Sequence, residues 1–424
     1  MHQLSPSPID LATALEQFEE KVPPPLQWRT WPAEPAAAAV VDPDGPLLKG
    51  QKASLTDRLV VSLGVGAVGG RAAVQLVRLG IGCQVVVDPD RFGDFSWKTQ
   101  VCEPGHAGQV KAWVIGDMMH RVHPGTRIHA GFGMAQDVPL TLLRKADVLL
   151  AAGDNIEMLV WLGNVAAALG KPLLQGAVYG ERLTAIVRAY DLRDAASACP
   201  GCALNSRAWG GLKARKGCDA ARDIRNGEPT RTTPHLCSLA GDLLTGEALK
   251  WLDGREAQAL KSEQLDYCMV NHKAYRTQLT RSEACRCPHE RWQWQDLPTG
   301  VADAPLGEVV ARALGAEARH NPLLQVRAEA SWCAKARCWR CGRVSEVARF
   351  ARPGTEVGRC ACGQALRAAA AGAPSLVPAA DLNVAFAKPL RDLGLDDGAS
   401  LGLSEGNGWT YLALPGDPLT AGQR

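Results

Sequence analysis

Residues 60–93 carry a compact pattern of apolar and polar positions. The run 60–63 is short and largely apolar, which suits a strand buried in a parallel sheet. Over 70–79 the apolar positions Ala73, Val74, Leu76, Val77 and Leu79 leave Arg71, Gln75 and Arg78 for water. That spacing predicts a helix, ended by Gly80 and followed by a strand over 81–87. Further along, 146–152 and 173–176 read as strands, and 159–169 and 236–252 as helices. This alternation between 55 and 253 predicts a doubly wound α/β sheet. Residues 7–22 read as one helix, but the proline-rich stretch that follows cannot continue it, so 1–54 is expected to be an arm. Beyond Trp292 the texture changes to a helix over 306–316, a cysteine-rich stretch over 333–362, an alanine-rich linker and a short strand-like end over 406–414. No internal repeat is present.

The turn between the first strand and helix contains Gly64, Gly66 and Gly69. Such glycines let backbone N–H groups approach phosphate oxygens and aim a helix N-terminus at negative charge. Asp88 follows Gly69 by nineteen residues, where an acid can accept hydrogen bonds from ribose hydroxyls. These features indicate a nucleotide with an adenosine end. They leave a dinucleotide-dependent oxidoreductase open.

Composition narrows the setting. A chain of 424 residues, 46% hydrophobic, can bury a large core and more than one domain. Its formal net charge of +3 gives no electrostatic reason to expect nucleic acid or a membrane surface as partner. The N-terminus lacks a basic region followed by an apolar core, and no apolar run approaches the eighteen or so residues of a membrane span. A cytoplasmic enzyme is expected. In a reducing compartment, fourteen cysteines point to metal or thiol chemistry rather than to a disulfide framework.

Several motifs then occur in order: the glycine turn, Asp88-x-Asp90, Gln100, Gly108-x-x-Lys111, Asp154-Asn155 after an apolar strand, and Gly170-Lys171-Pro172. Together they resemble the ThiF/MoeB/HesA superfamily of ubiquitin-activating enzyme-like adenylating proteins, over roughly 55–290. The resemblance implies a Rossmann-like adenylation domain over 55–295 with a crossover loop at 203–234, and a C-terminal module over 296–424. It implies ATP as substrate, bound by Gly64, Gly66, Gly69, Asp88, Lys111 and Asp154. Lys111 would offset the charge that builds as pyrophosphate leaves, and Asp154 would hold Mg²⁺. Such residues have no evident purpose in hydride transfer. Where the family usually has an Asn and an Arg, this chain has Ser96 and Thr99, with Lys98 nearby as a replacement cation. Arg29 is the candidate for a second family arginine. The resemblance also implies a homodimer, a ubiquitin-like protein ending in glycine as partner, and a conjugating enzyme as next acceptor. Activation of a sulfur carrier or small peptide, and a non-catalytic nucleotide-binding scaffold, stand as alternatives.

The cysteines fall into sets. Cys199-x-x-Cys202 stands where the family has the first half of a structural zinc site. Cys285-x-Cys287 is expected to complete it, with His289 as a spare ligand. Cys338-x-x-Cys341 and Cys360-x-Cys362, each followed by glycine, read as a zinc ribbon over 333–365, so two zinc ions are expected. In the crossover loop Cys218 follows Lys213, Arg215 and Lys216, and nearby positive charge favours a nucleophilic thiolate. Cys218 is therefore the candidate to receive the activated carboxyl group.

Overall fold

The computed structural model describes residues 26–34, 54–153, 155–214, 232–368 and 375–419. The expected helix at 7–22 lies outside them. The first described element is a strand, β1 (Gln27–Trp31), within the stretch expected to be an irregular arm. It pairs antiparallel with β4 (Arg127–Phe132) at one edge of the main sheet. Its tryptophans explain why it docks. A side chain on Gly131 would lie 2.9 Å from the Trp28 ring, and one on Gly116 would lie 2.6 Å from Trp31, so two glycines make room for two indoles.

The sheet is built around β2 (Leu59–Leu63), whose last four residues are buried. It runs parallel to β3 (Cys83–Asp88) on one side and β5 (Val148–Ala151) on the other. β4 lies outside β3, and β6 (Pro172–Tyr179) lies outside β5, both parallel. β7 (Thr184–Asp191), β8 (Glu263–Cys268) and β9 (Lys273–Gln278) extend the sheet antiparallel, giving nine strands. One face is covered by α1 (Gly69–Arg78), α2 (Lys111–Val122) and α6 (Pro234–Leu252). The other is covered by α3 (Leu140–Lys145) and α4 (Ile156–Leu169). α5 (Ser206–Ala214) precedes the undescribed part of the crossover segment. Because the chain winds outward from β2 in both directions, the carboxyl ends of β2, β3 and β5 open onto a topological switch point, the usual place for a ligand in such sheets.

The C-terminal part has its own core and a four-stranded sheet. Its strand order is β10 (Gln293–Asp296), β17 (Thr410–Ala413), β16 (Ser400–Ser404) and β11 (Gln325–Ala328). The domain boundary expected at 295/296 therefore falls inside β10. α7 (Leu306–Leu314) and α8 (Leu382–Phe386) pack on this unit. Two hairpins project from it: β12 (Ser331–Arg337) with β13 (Val344–Ala351), and β14 (Glu356–Arg359) with β15 (Ala365–Arg367). The unit is joined to the first domain through its core, since Tyr411 and Leu419 are buried with Val61, Leu63 and Leu149. Polar contacts reinforce the seam. Glu329, half-buried, accepts from the Leu140 N–H at 3.2 Å and from the Ser400 hydroxyl at 2.7 Å. No helix among the described residues is long and apolar enough to cross a membrane.

Candidate functional site

The glycine turn sits at the switch point. Gly64 has φ +88°, a conformation that favours glycine, and a Cβ there would lie 2.8 Å from the Gly153 backbone nitrogen. A Cβ on Gly69 would fall 2.0 Å from the Gly64 carbonyl oxygen, so these two glycines close the turn against itself. Gly66 differs, because a side chain there would meet nothing within 4 Å. It is the point at which the turn faces open space. α1 begins directly behind, with no side-chain cap bond and no acid in its first turn. Its N-terminal dipole is therefore left for an incoming anion.

Asp88 ends β3 and is 4% exposed. One carboxylate oxygen accepts the Val65 N–H of the glycine turn at 2.8 Å, and the other accepts the Asp90 N–H at 2.9 Å. Burial pushes its carboxyl up to about 6, although Lys111 and the two N–H donors pull the other way. Lys111 is the first residue of α2, its backbone tied to the Asp90 carbonyl at 3.0 Å. Its Nζ lies 3.0 Å from Asp90 Oδ2, and the side chain is 12% exposed. The structure thus brings together the turn, Asp88, Asp90 and Lys111. The pairing of Asp90 with Lys111 was visible beforehand only as the second acid of Asp88-x-Asp90.

Asp154 lies outside the described residues. On either side of it, Gly153 abuts Gly64, and Asn155 caps α4 by accepting the Met158 N–H at 3.1 Å. Helix capping, the plainer duty one could assign to Asp154, is thus met by its neighbour. Lys98 places its Nζ 4.8 Å from the Phe95 ring centroid and 5.9 Å from that of Trp97. Ser96 closes the local turn by accepting the Gly93 N–H at 2.9 Å. Arg29 stacks over Trp113 of α2 at 4.0 Å, which occupies it in the β1–α2 contact. Cys218 falls in 215–231, also outside the described residues.

A match to the ThiF family covers residues 44–289, more than half of the chain, and includes the glycine turn, Asp88, Asp90, Lys98 and Lys111. The chain belongs to the ThiF family. A sulfur carrier protein adenylyltransferase of Thermus thermophilus is 31% identical over 122 residues, 28% of this chain and 45% of that protein. The adenylyltransferase and sulfurtransferase MOCS3-2 of Zea mays is 24% identical over 135 residues, 31% of this chain and 28% of that protein. The chain thus spans less than half the length of these curated relatives. Among solved structures, E. coli MccB with AMPCPP and MccA aligns with a TM-score of 0.43 and 18% identity, covering 55% of this chain and 67% of that one. PaaA aligns with the same score and 15% identity, covering 54% and 65%.

Among the described residues, two clusters away from the glycine turn have donor chemistry that suits a metal. In the first, the ligand atoms of Cys199, Cys202, Cys285 and His289 all lie within 4.8 Å of one another. Sulfur separations are 3.7 Å for Cys199–Cys285 and 3.9 Å for Cys199–Cys202, and the His289 Nε2 lies 3.5 Å from the Cys202 sulfur. Tetrahedral zinc with Zn–S near 2.3 Å places its sulfurs about 3.8 Å apart, so the set fits that ion. The expected fourth ligand was Cys287. The structure puts His289 in the set instead, on a backbone at φ +53°. Burial pushes the Cys285 thiol up to about 12 and lowers His289, so without a metal the thiol stays protonated and the imidazole neutral.

The second cluster joins the turns of the two C-terminal hairpins. The sulfurs of Cys338, Cys341, Cys360 and Cys362 lie within 4.8 Å of one another, with 3.6 Å between Cys338 and Cys362 and 3.5 Å between Cys341 and Cys360. N–H groups of Cys341 and Arg340 aimed at the Cys338 sulfur bring that thiol down to about 7. Four thiols so placed fit a closed structural zinc site.

Proposed function

We propose that this chain uses ATP to adenylate the C-terminal carboxylate of a ubiquitin-like carrier protein, in the cytoplasm. The observation that carries the reading is the buried Asp88 carboxylate bound to the Val65 N–H of the glycine turn, beside the Lys111–Asp90 pair. In this reading Asp88 holds the ribose hydroxyls, and the open face at Gly66 receives phosphate oxygens. Lys111 shifts from Asp90 to the α-phosphate. Lys98 adds charge over the leaving group. Mg²⁺, held by Asp154, would supply further neutralisation of the triphosphate. A carboxylate oxygen of the carrier attacks the α-phosphorus as the bond to pyrophosphate breaks, and Lys111 stabilises the charge that builds on the phosphoryl oxygens. The thiolate of Cys218 then takes the acyl group, AMP leaves, and a conjugating enzyme accepts the carrier. The two zinc ions are structural, and two copies of the chain form a dimer.

Similarity to the sulfur carrier protein adenylyltransferase of Thermus thermophilus favours a second reading, in which the carrier is a sulfur carrier that is adenylated without a thioester on this chain. Pyrophosphate exchange into ATP with candidate carriers tests the common step. Lys111→Ala should lower exchange by about 10²–10³, the usual loss for one transition-state electrostatic contact. Exchange that is unaffected in that variant would defeat the proposed site. A thiol-sensitive carrier adduct that disappears in Cys218→Ala separates the two readings.

A further inference from the structure

The first metal cluster contains one donor more than tetrahedral zinc can use. Beside the set of Cys199, Cys202, Cys285 and His289, Cys287 is 7% exposed and turned into the same space. A Cβ on Gly201, between Cys199 and Cys202, would lie 2.6 Å from the Cys287 sulfur and 3.3 Å from the Cys285 sulfur. The Cys287 backbone N–H also donates to the Cys285 sulfur at 3.4 Å. A glycine at 201 is what leaves room for this extra sulfur.

We propose that zinc here is bound by three cysteines and His289, and that Cys287 is a reserve ligand able to replace the imidazole. In the ordinary state Cys287 stands beside the ligand sulfurs as an outer partner of the set. When His289 leaves, the Cys287 sulfur bonds to zinc as a thiolate, its proton passing to solvent, so the ion stays four-coordinate. The position gives the arrangement a purpose. Cys285 to His289 lead directly into Arg291, whose guanidinium donates to the Ala167 carbonyl of α4 at 2.8 Å, and into β10. Cys199 and Cys202 lead into α5 and the crossover segment. One zinc ion therefore ties both departing chains to the end of α4, and a reserve donor keeps the tie when one ligand is lost.

Zinc K-edge X-ray absorption on the full-length, zinc-loaded protein tests this, with metal content measured in parallel. The wild type should show seven sulfurs and one imidazole nitrogen shared by two ions, with the outer-shell scattering of a bound imidazole. Cys287→Ser should leave that spectrum and the zinc content unchanged. His289→Ala should keep both ions and lose the imidazole signature in favour of an all-sulfur shell. The His289→Ala, Cys287→Ser double variant should lose one of the two ions. An all-sulfur wild type, a sulfur count that falls in Cys287→Ser, or a His289→Ala protein as zinc-depleted as the double variant would each overturn the proposal. Should His289→Ala fail to fold, the wild-type and Cys287→Ser spectra still decide which residue binds.

Discussion

Replacing Asp88 by asparagine sets two effects of similar size against each other, and pH separates them. The folded protein holds the Asp88 carboxyl at about 6, against 3.8 for the free group, chiefly because the group is buried. The folded state therefore binds this proton more tightly than the unfolded chain does. Stability contributed by the protonated form is lost as pH rises through the interval between those values. Above it, ionised Asp88 costs about 3 kcal/mol, at 1.36 kcal/mol for each pH unit. Asparagine removes that cost. It introduces another, because its single carbonyl oxygen cannot serve both the Val65 and the Asp90 N–H groups, and a buried donor left unpaired costs about 1–3 kcal/mol. Asp88→Asn should thus be less stable than the wild type near pH 4 and of comparable stability near pH 7. Urea unfolding of both proteins across that range, without nucleotide, should show the difference moving by about 3 kcal/mol in favour of the variant. The metal thiolates titrate in both proteins and cancel in the difference. Adenosine, which has no phosphate to titrate, should bind the wild type more tightly as pH rises from 5 to 7 and should bind the variant weakly throughout. Parallel stability curves for the two proteins would refute the placement of Asp88 as a buried acid tied to the glycine turn.

Other consequences follow from contacts already described. Gly64→Ala should destabilise the protein by roughly 1–3 kcal/mol, the scale of a strained backbone, while Gly66→Ala should leave thermal stability unchanged and weaken nucleotide binding. Equal melting temperatures for Gly64→Ala and the wild type would show that the turn is not closed as described. Arg327→Ala removes a guanidinium carbon 3.7 Å from the Trp409 ring centroid and within 5.3 Å of those of Trp292 and Tyr411, and should cost about 1–2 kcal/mol with a change in tryptophan emission. An unchanged unfolding midpoint would count against that stack. Chelation should release about two zinc ions per chain, and amide exchange should rise first in the hairpins over 331–367, whose core is small. Exchange that is identical before and after metal loss would remove the structural role.

The sequence made the centre of the molecule legible because its signals there are local. The glycine turn, the apolar strand at 60–63 and the helix at 70–79 were read within a residue or so of β2 and α1. The strand at 146–152 contracts to Val148–Ala151 because Ala146 and Asp147 form the turn into it, where the Asp147 N–H donates to the Leu59 carbonyl. What escaped detection were strands without an apolar rhythm. β9 is exposed along its whole length, and the sequence from Lys273 to Gln278 alternates nothing that needs hiding. β1 has two tryptophans set among polar residues and prolines, and its pairing depends on Gly116 and Gly131, about a hundred residues away. The choice of His289 over Cys287 was equally beyond reach. Both stand two residues apart behind Cys285, and which of them turns toward the metal depends on the positive φ at His289, which spacing does not encode.

The same distinction bears on how the C-terminal unit relates to the nucleotide site. Read as a sequence, it follows the ThiF domain as an appended module. Its sheet, however, begins with β10 before the expected boundary and places Tyr411 between Trp292 and Trp294, with ring centroids 4.3 and 5.1 Å away. Arg144 of α3 continues this stack over Trp294 at 4.9 Å and pairs with Asp296. α3 and α4 form the layer beneath β2 and β5, the strands whose ends carry Gly64 and Gly153. An aromatic and ionic column therefore runs from the C-terminal sheet to the layer that supports the glycine turn, and the first metal cluster fastens the chain where it crosses between them. A unit held only by a linker could be removed without disturbing nucleotide binding. Removing this one would take Tyr411 and Leu419 out of the core cluster that also holds Val61, Leu63 and Leu149, so loss of the unit should loosen the switch point itself.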